Sequence, residues 1–150
     1  MRAKDLKFIL APEVSALGVK CVCFVIEGLA NREEDAEFER YKSDLFTRLM
    51  AQYTTETVSD DPVLAGFRSL HSKVGRSNRK FPASPERLIK MFLKNSTVPP
   101  INLAVDIYNC VSLKTRLSLG AHDVQKIDGN ATLRLTDGGE RFVPLGKGEP

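Results

Sequence analysis

Four side chains able to hold a polar substrate or a water molecule stand in register in the second half of the chain. Asn102, Asp106, Asn109 and Ser112 follow one another at steps of four, three and three, the spacing that aligns residues along one side of an α-helix. The surrounding segment is mostly apolar, with Ala104, Val105, Tyr108 and Val111 on another side. Two readings fit. Asn102 can cap the helix while the rest of the stripe faces water, and no ligand is then needed. Solvent faces, however, are usually built from Lys and Glu, whereas amides, a carboxylate and a hydroxyl are groups that orient ligands in pockets.

A second candidate is electrostatic. The chain carries 22 basic and 19 acidic residues, a net charge of +3. Between His71 and Lys94 stand Lys73, Arg76, Arg79, Lys80, Arg87, Lys90 and Lys94 against Glu86 alone, so that segment is +6 and the rest −3. A concentrated basic stretch on a slightly acidic chain suits an anion such as an RNA backbone, whose phosphates need Lys and Arg more than any fixed geometry. A solvated helix face is the plainer account of the same charges.

Other reactive residues read as structural. Cys21, Cys23 and Cys110 are too few for a disulfide framework. Cys21 and Cys23 point to one face of a strand, and with no further ligands at useful spacing they are expected as two small core side chains. Cys110 is expected to pack within its helix, and His71 to sit where it can cap helix carbonyls. Lys147, between Gly146 and Gly148, opens no helix and is no phosphate loop. No metal or cofactor is expected, and no ATP-binding motif argues for aminoacylation.

The elements that position these groups follow from periodicity. Val19–Ile26 reads as a strand buried on both faces. Asp35–Tyr53 reads as a helix, with Phe38, Tyr41, Leu45 and Leu49 as its stripe and Glu33, Glu34 and Asp35 at its positive end. Thr54–Asp60 reads as a polar break. Asp61-Pro62 starts a short helix that runs to about Gly75, and Arg76–Pro82 is a basic loop. Ser84-Pro85 gives the next start, with Ser84 as cap. Leu88, Ile89, Phe92 and Leu93 form the inner face of that helix, and Arg87, Lys90 and Lys94 share the other. Another helix covers Ile101 to about Lys114. Asp128-Gly129 is a turn signal. Ala131–Thr136 alternates as a strand with Leu133 and Leu135 inward, and Asp137-Gly138-Gly139 leads to a partner strand at Arg141–Leu145. The class is α+β: a mixed sheet, several packed helices and a C-terminal β-hairpin, in one domain over residues 1–150. A hydrophobic fraction of 42% supports a packed core, and Phe8–Leu10 is too short for a signal sequence. A soluble protein of a reducing cytoplasm is expected.

Several pieces carry a resemblance by their order. They are Ser84-Pro85-Glu86-Arg87-Leu88; Pro99-Pro100-Ile101-Asn102 followed by Val105-Asp106-Ile107-Tyr108-Asn109; Leu119-Gly120-Ala121-His122-Asp123 with Lys126-Ile127 and Gly129; and Leu133-Arg134, Gly139-Glu140 and Leu145-Gly146. From Phe81 to Gly146 the chain resembles the B3/B4 domain of the phenylalanyl-tRNA synthetase beta subunit, and its free-standing relatives more closely. The resemblance implies a protein that binds tRNA and hydrolyses misacylated tRNA in trans. An apolar pocket discriminates weakly against a ring bearing one extra hydroxyl, so a second sieve is useful. Orienting a water against a reactive ester calls for neither a metal nor a covalent nucleophile, and no catalytic residue is assigned.

The expected substrate pocket is Asn109, Asp106, Ser112, Asn102 and Gly120: the helical stripe supplies Asn102 and Ser112, and the resemblance, carried over residue by residue, bears on Asn109, Asp106 and Gly120. Asn109 matches the family's pocket asparagine, and Asp106 its neighbouring aspartate, a structural acceptor. Gly120 stands where synthetase beta chains carry a pocket histidine, and His122 registers with a family aromatic position. The family's tyrosine-sensing glutamate belongs to a glycine-rich segment further on, so the chain is expected to be truncated at Pro150 relative to the family. Arg76, Arg79, Lys80, Arg87, Lys90 and Lys94 are the expected RNA-binding set. They would meet the tRNA phosphate backbone and aminoacylated end, with neither membrane nor DNA as a partner. An open edge at Arg141–Leu145 would also suit a second copy in a homo-oligomer. The alternatives are a non-catalytic RNA-binding module, or a small-molecule- or protein-binding relative without editing activity.

Overall fold

The computed structural model describes residues 6–141. The chain divides into two units, Gly28–His122 and the pair of segments Met1–Glu27 and Asp123–Pro150.

The Gly28–His122 unit is helical, and four of its five described helices start where a side chain satisfies free N–H groups. Asp35 caps α2 (Ala36–Gln52), accepting from the N–H groups of Glu37 and Phe38 at 3.1 and 2.9 Å. The Phe38 N–H, helped by the Arg32 guanidinium 3.1 Å away, holds this half-buried carboxyl below its usual value. The expected polar break at Thr54–Asp60 is instead a helix, α3 (Thr55–Asp60), because Thr54 and Thr57 cap one another reciprocally and Val58 has a core to enter. Asp61 caps α4 (Pro62–Lys73) as the sequence implied. For α5 (Ser84–Asn95) the cap position falls to Ala83 rather than Ser84. Ser84 is already inside the helix, and its hydroxyl lies 2.8 Å from that of Ser118. Asn102 caps α6 (Leu103–Thr115), accepting from the Val105 N–H at 3.1 Å. Helices α5 and α6 end at Ser96 and Arg116 in the left-handed conformation, with φ of 57° and 61°.

α6 packs on α5 and α2, and α3 packs on α4. Leu45, Leu49, Val58, Leu64, Ile89, Phe92, Val98, Cys110 and Leu113 form one buried cluster. The Phe46 ring lies 5.0 Å from that of Phe92, and the Tyr53 hydroxyl donates to the Leu113 carbonyl at 2.6 Å, tying the end of α2 to the end of α6.

In the other unit, β1 (Phe8–Leu10) runs parallel to β2 (Ala131–Leu133), with Phe8 opposite Ala131 and Leu10 opposite Leu133. This two-stranded pair is the sheet among the described residues and makes the class α+β. Helix α1 (Pro12–Ala16) follows β1, and a 3-10 turn at Val124–Lys126 precedes β2. The strand expected at Val19–Ile26 does not form: the segment has no regular structure, and Val22 and Phe24 are 87% and 76% exposed. High strand propensity needs a neighbouring ladder and a face to cover, and β1 and β2 pair with each other instead. Leu133 and Leu135, expected inward, are also exposed. Beyond Arg141, the expected hairpin partner strand and the tail around Lys147 lie outside the described residues. No helix among the described residues is long and apolar enough to cross a membrane.

Candidate nucleic-acid interface

The polar stripe of α6 resolves into separate duties. Asn102 is spent on the cap. Asp106 is buried, and its Oδ1 accepts from the Ile101 N–H at 3.0 Å, closing the turn that leads into the helix. Ser112 is buried and donates to the Leu117 carbonyl at 2.7 Å, closing the turn that leaves it. Asn109 differs: it is half-buried and has no side-chain partner among the described residues.

Asn109 borders a recess that also takes in Lys42, Phe46, Val98, Asp106 and Cys110, with a volume of about 10 Å³. That is room for about one water molecule and too little for an aromatic amino-acid side chain. A larger, open groove of about 510 Å³ runs along α2 past Lys42, Phe46, Thr47 and Met50 to Ser96 and Thr97, and none of the stripe residues lines it. Gly120 is exposed in the loop after α6, with open space where a side chain would stand. His122 is exposed as well.

Sequence reasoning passed over Lys42. It stands four residues after Phe38 and four before Phe46, inside the apolar stripe of α2, which was the available signal. Its side chain is only 15% exposed. The ammonium group donates to Glu39 Oε1 at 2.6 Å and lies 5.7 Å from the centre of the Phe38 ring. The Cys110 thiol in the same recess is pushed up by burial to about 11, so it stays protonated and unreactive at neutral pH.

The cationic residues gather differently. Arg87, Lys90 and Lys94 are exposed on α5, while Pro85, Glu86, Ile89 and Phe92 of the same helix are buried. Lys94 stands seven positions after Arg87, about 10 Å along the helix axis. Arg76, Arg79 and Lys80 are exposed in the loop that leads to α5. That loop is anchored by Asn78, whose amide donates to the Arg68 carbonyl at 3.0 Å. Glu86 is the one local acid, and it faces inward between Lys90 Nζ at 2.7 Å and Arg68 Nη1 at 3.3 Å. It therefore neutralises much of Lys90 and leaves Arg87, Lys94 and the loop cations free of acidic neighbours among the described ion pairs. Phe81, half exposed, lies in the same loop with the Arg76 guanidinium 4.7 Å from its ring centre. An accessible ring next to cations is what stacks on an unpaired base. An aromatic residue inside the basic stretch was the signal for it.

The described residues form an α+β protein with a cationic helix face and, at its polar stripe, a recess of about 10 Å³. The family model of the B3/4 domain matches residues 67–150, more than half of the chain, and the chain belongs to that family. It is the domain of the phenylalanyl-tRNA synthetase beta subunit family, as the ordered motifs implied. The match takes in α6, the basic loop and α5, while Lys42 and the rest of α2 precede it. No curated protein and no solved structure matches the chain.

Proposed function

We propose that this B3/4 domain binds tRNA through the outer face of α5 and the loop before it, as a binding module. One observation carries the reading: the exposed row Arg87, Lys90 and Lys94 continues into Arg76, Arg79 and Lys80, with the single acid of the segment turned inward. Phosphate contacts of this kind position an RNA without reading its sequence, and Phe81 offers a stacking surface for an unpaired nucleotide. Hydrolysis of a misacylated tRNA draws less support, because the recess beside Asn109 holds about 10 Å³ and three members of the stripe already serve the helix ends.

The test is fluorescence anisotropy with deacylated tRNA over a salt series. Affinity should fall steeply with salt, and each phosphate contact removed should lower the slope of log K against log salt by about 0.7–0.9. Arg87→Ala with Lys94→Ala should therefore reduce the slope by nearly two contacts, whereas Lys90→Ala should do less because Glu86 already holds it. Binding that ignores salt, or is unchanged in the double variant, defeats the proposal. A parallel deacylation assay on mischarged tRNA supplies the other arm: hydrolysis above background that disappears in Asn109→Ala would establish the editing reading instead.

A further inference from the structure

Cys21 and Cys23 do not pack in a core. Both are exposed, and their sulfurs lie 4.0 Å apart. The run Cys21–Ala30 is exposed throughout and has no regular structure. Two thiols are thus held within reach of each other and of dissolved reagents, on backbone that can move without breaking a ladder of hydrogen bonds. Among the described residues no third His, Cys, Asp or Glu joins them, so the pair does not amount to a zinc site.

We propose that Cys21 and Cys23 form a thiol–disulfide exchange site that reacts with low-molecular-weight disulfides. One cysteine, its proton passed to water, attacks a sulfur of the external disulfide RSSR. That S–S bond breaks, RS⁻ leaves, and a mixed disulfide remains. The neighbouring thiolate then attacks the protein sulfur of the mixed disulfide and expels the second RS⁻. Two protein thiols are oxidised, one external disulfide is reduced to two thiols, and the two protons end on those thiols.

Closing the bond brings the sulfurs from 4.0 Å to about 2.05 Å. Alternate residues of an extended chain have Cα atoms about 6.6 Å apart, near the upper end of what a disulfide spans, about 4.4–6.8 Å. The closed ring therefore favours a bent backbone and carries strain, and strained, exposed disulfides are the easily reduced ones. Desolvation first, and the Cys21 sulfur second, push the Cys23 thiol above its ordinary value, so whichever step has Cys23 as the attacking group should quicken as pH rises.

The experiment incubates the full chain with excess oxidised glutathione and reads intact mass and disulfide-mapped peptides. The expected product has lost two hydrogens, carries its bond between Cys21 and Cys23, and retains no glutathione. Cys21→Ser and Cys23→Ser should each trap one glutathione on the remaining sulfur, while Cys110 stays free in all three proteins. A wild-type chain that stays reduced, keeps glutathione on both sulfurs, or dimerises through them overturns the proposal. The outcome is independent of tRNA binding, which is proposed for residues of the other unit.

Discussion

Replacing Asp106 by alanine separates a structural stripe from a ligand-binding one. Asp106 is buried in the first turn of α6, and its carboxylate accepts from the Ile101 N–H at 3.0 Å. A hydrogen bond to a charged group contributes about 1.5–3 kcal/mol, and a carboxylate in a first helical turn adds about 0.3–1 kcal/mol. Ile101 is 62% exposed, so water can reach the freed N–H and the loss falls near the low end, about 2 kcal/mol. Asn109→Ala removes no hydrogen bond among the described residues and should cost about 0.5 kcal/mol or less. In urea, with a slope of about 2 kcal/mol per molar, Asp106→Ala should lower the midpoint by about 1 M and Asn109→Ala by less than about 0.3 M. Asp106→Asn should recover about half of the loss, since an amide oxygen still accepts but carries no charge. Equal midpoints for the two alanine variants would refute the reasoning. So would an Asp106→Ala protein of unchanged stability and altered tRNA affinity, because the carboxylate would then belong to the ligand.

Three further outcomes are expected. Tyr53→Phe removes the 2.6 Å bond to the Leu113 carbonyl and should cost about 1 kcal/mol in denaturant unfolding, with tRNA affinity unchanged. Iodoacetamide at about pH 8 should label Cys21 and Cys23 but spare Cys110, whose burial raises its thiol to about 11; peptide mass mapping reads the difference, and equal labelling in the native protein would contradict the burial. The Glu140 carboxyl is held down to about 2 by backbone N–H groups, its own and that of Asp137, with Arg134 adding to them. Because its folded value is depressed, the contribution of this turn is present above the ordinary carboxyl range and is lost as pH falls through about 2. Carboxyl chemical shifts followed by NMR should show that late protonation.

Where a helix carried both an apolar stripe and a start signal, the sequence was enough. Asp35, Asp61 and Asn102 cap the helices they were expected to open or adjoin, and the stripes of α2 and α5 pack in or against the core, except for Tyr41 of α2, which is exposed. Local chemistry of that kind acts within a few residues and is readable directly. The cationic face of α5 was legible for the same reason. The misses are cases in which distant chain decides. Phe8–Leu10 gave no sign that it pairs with Ala131–Leu133, and the strand-rich run Val19–Ile26 gave none that it would lack a ladder. The α6 stripe was correctly placed on one side, but periodicity cannot say whether a polar group meets a ligand or its own backbone. Ile101 and Leu117, just beyond the two helix ends, take up Asp106 and Ser112.

The pairing of β1 with β2 also bears on how the protein is made. Phe8 leaves the ribosome well before Ala131, its partner, is added. The intervening helical unit, whose contacts close within Gly28–His122, can acquire its structure during translation. The parallel pair cannot form until Ala131–Leu133 has been made and released from the ribosome. Joining ends so far apart along an unstructured chain would cost about 4 kcal/mol of loop entropy. Helices already folded between them shorten the span left to close, so the order of synthesis lightens the last step of assembly.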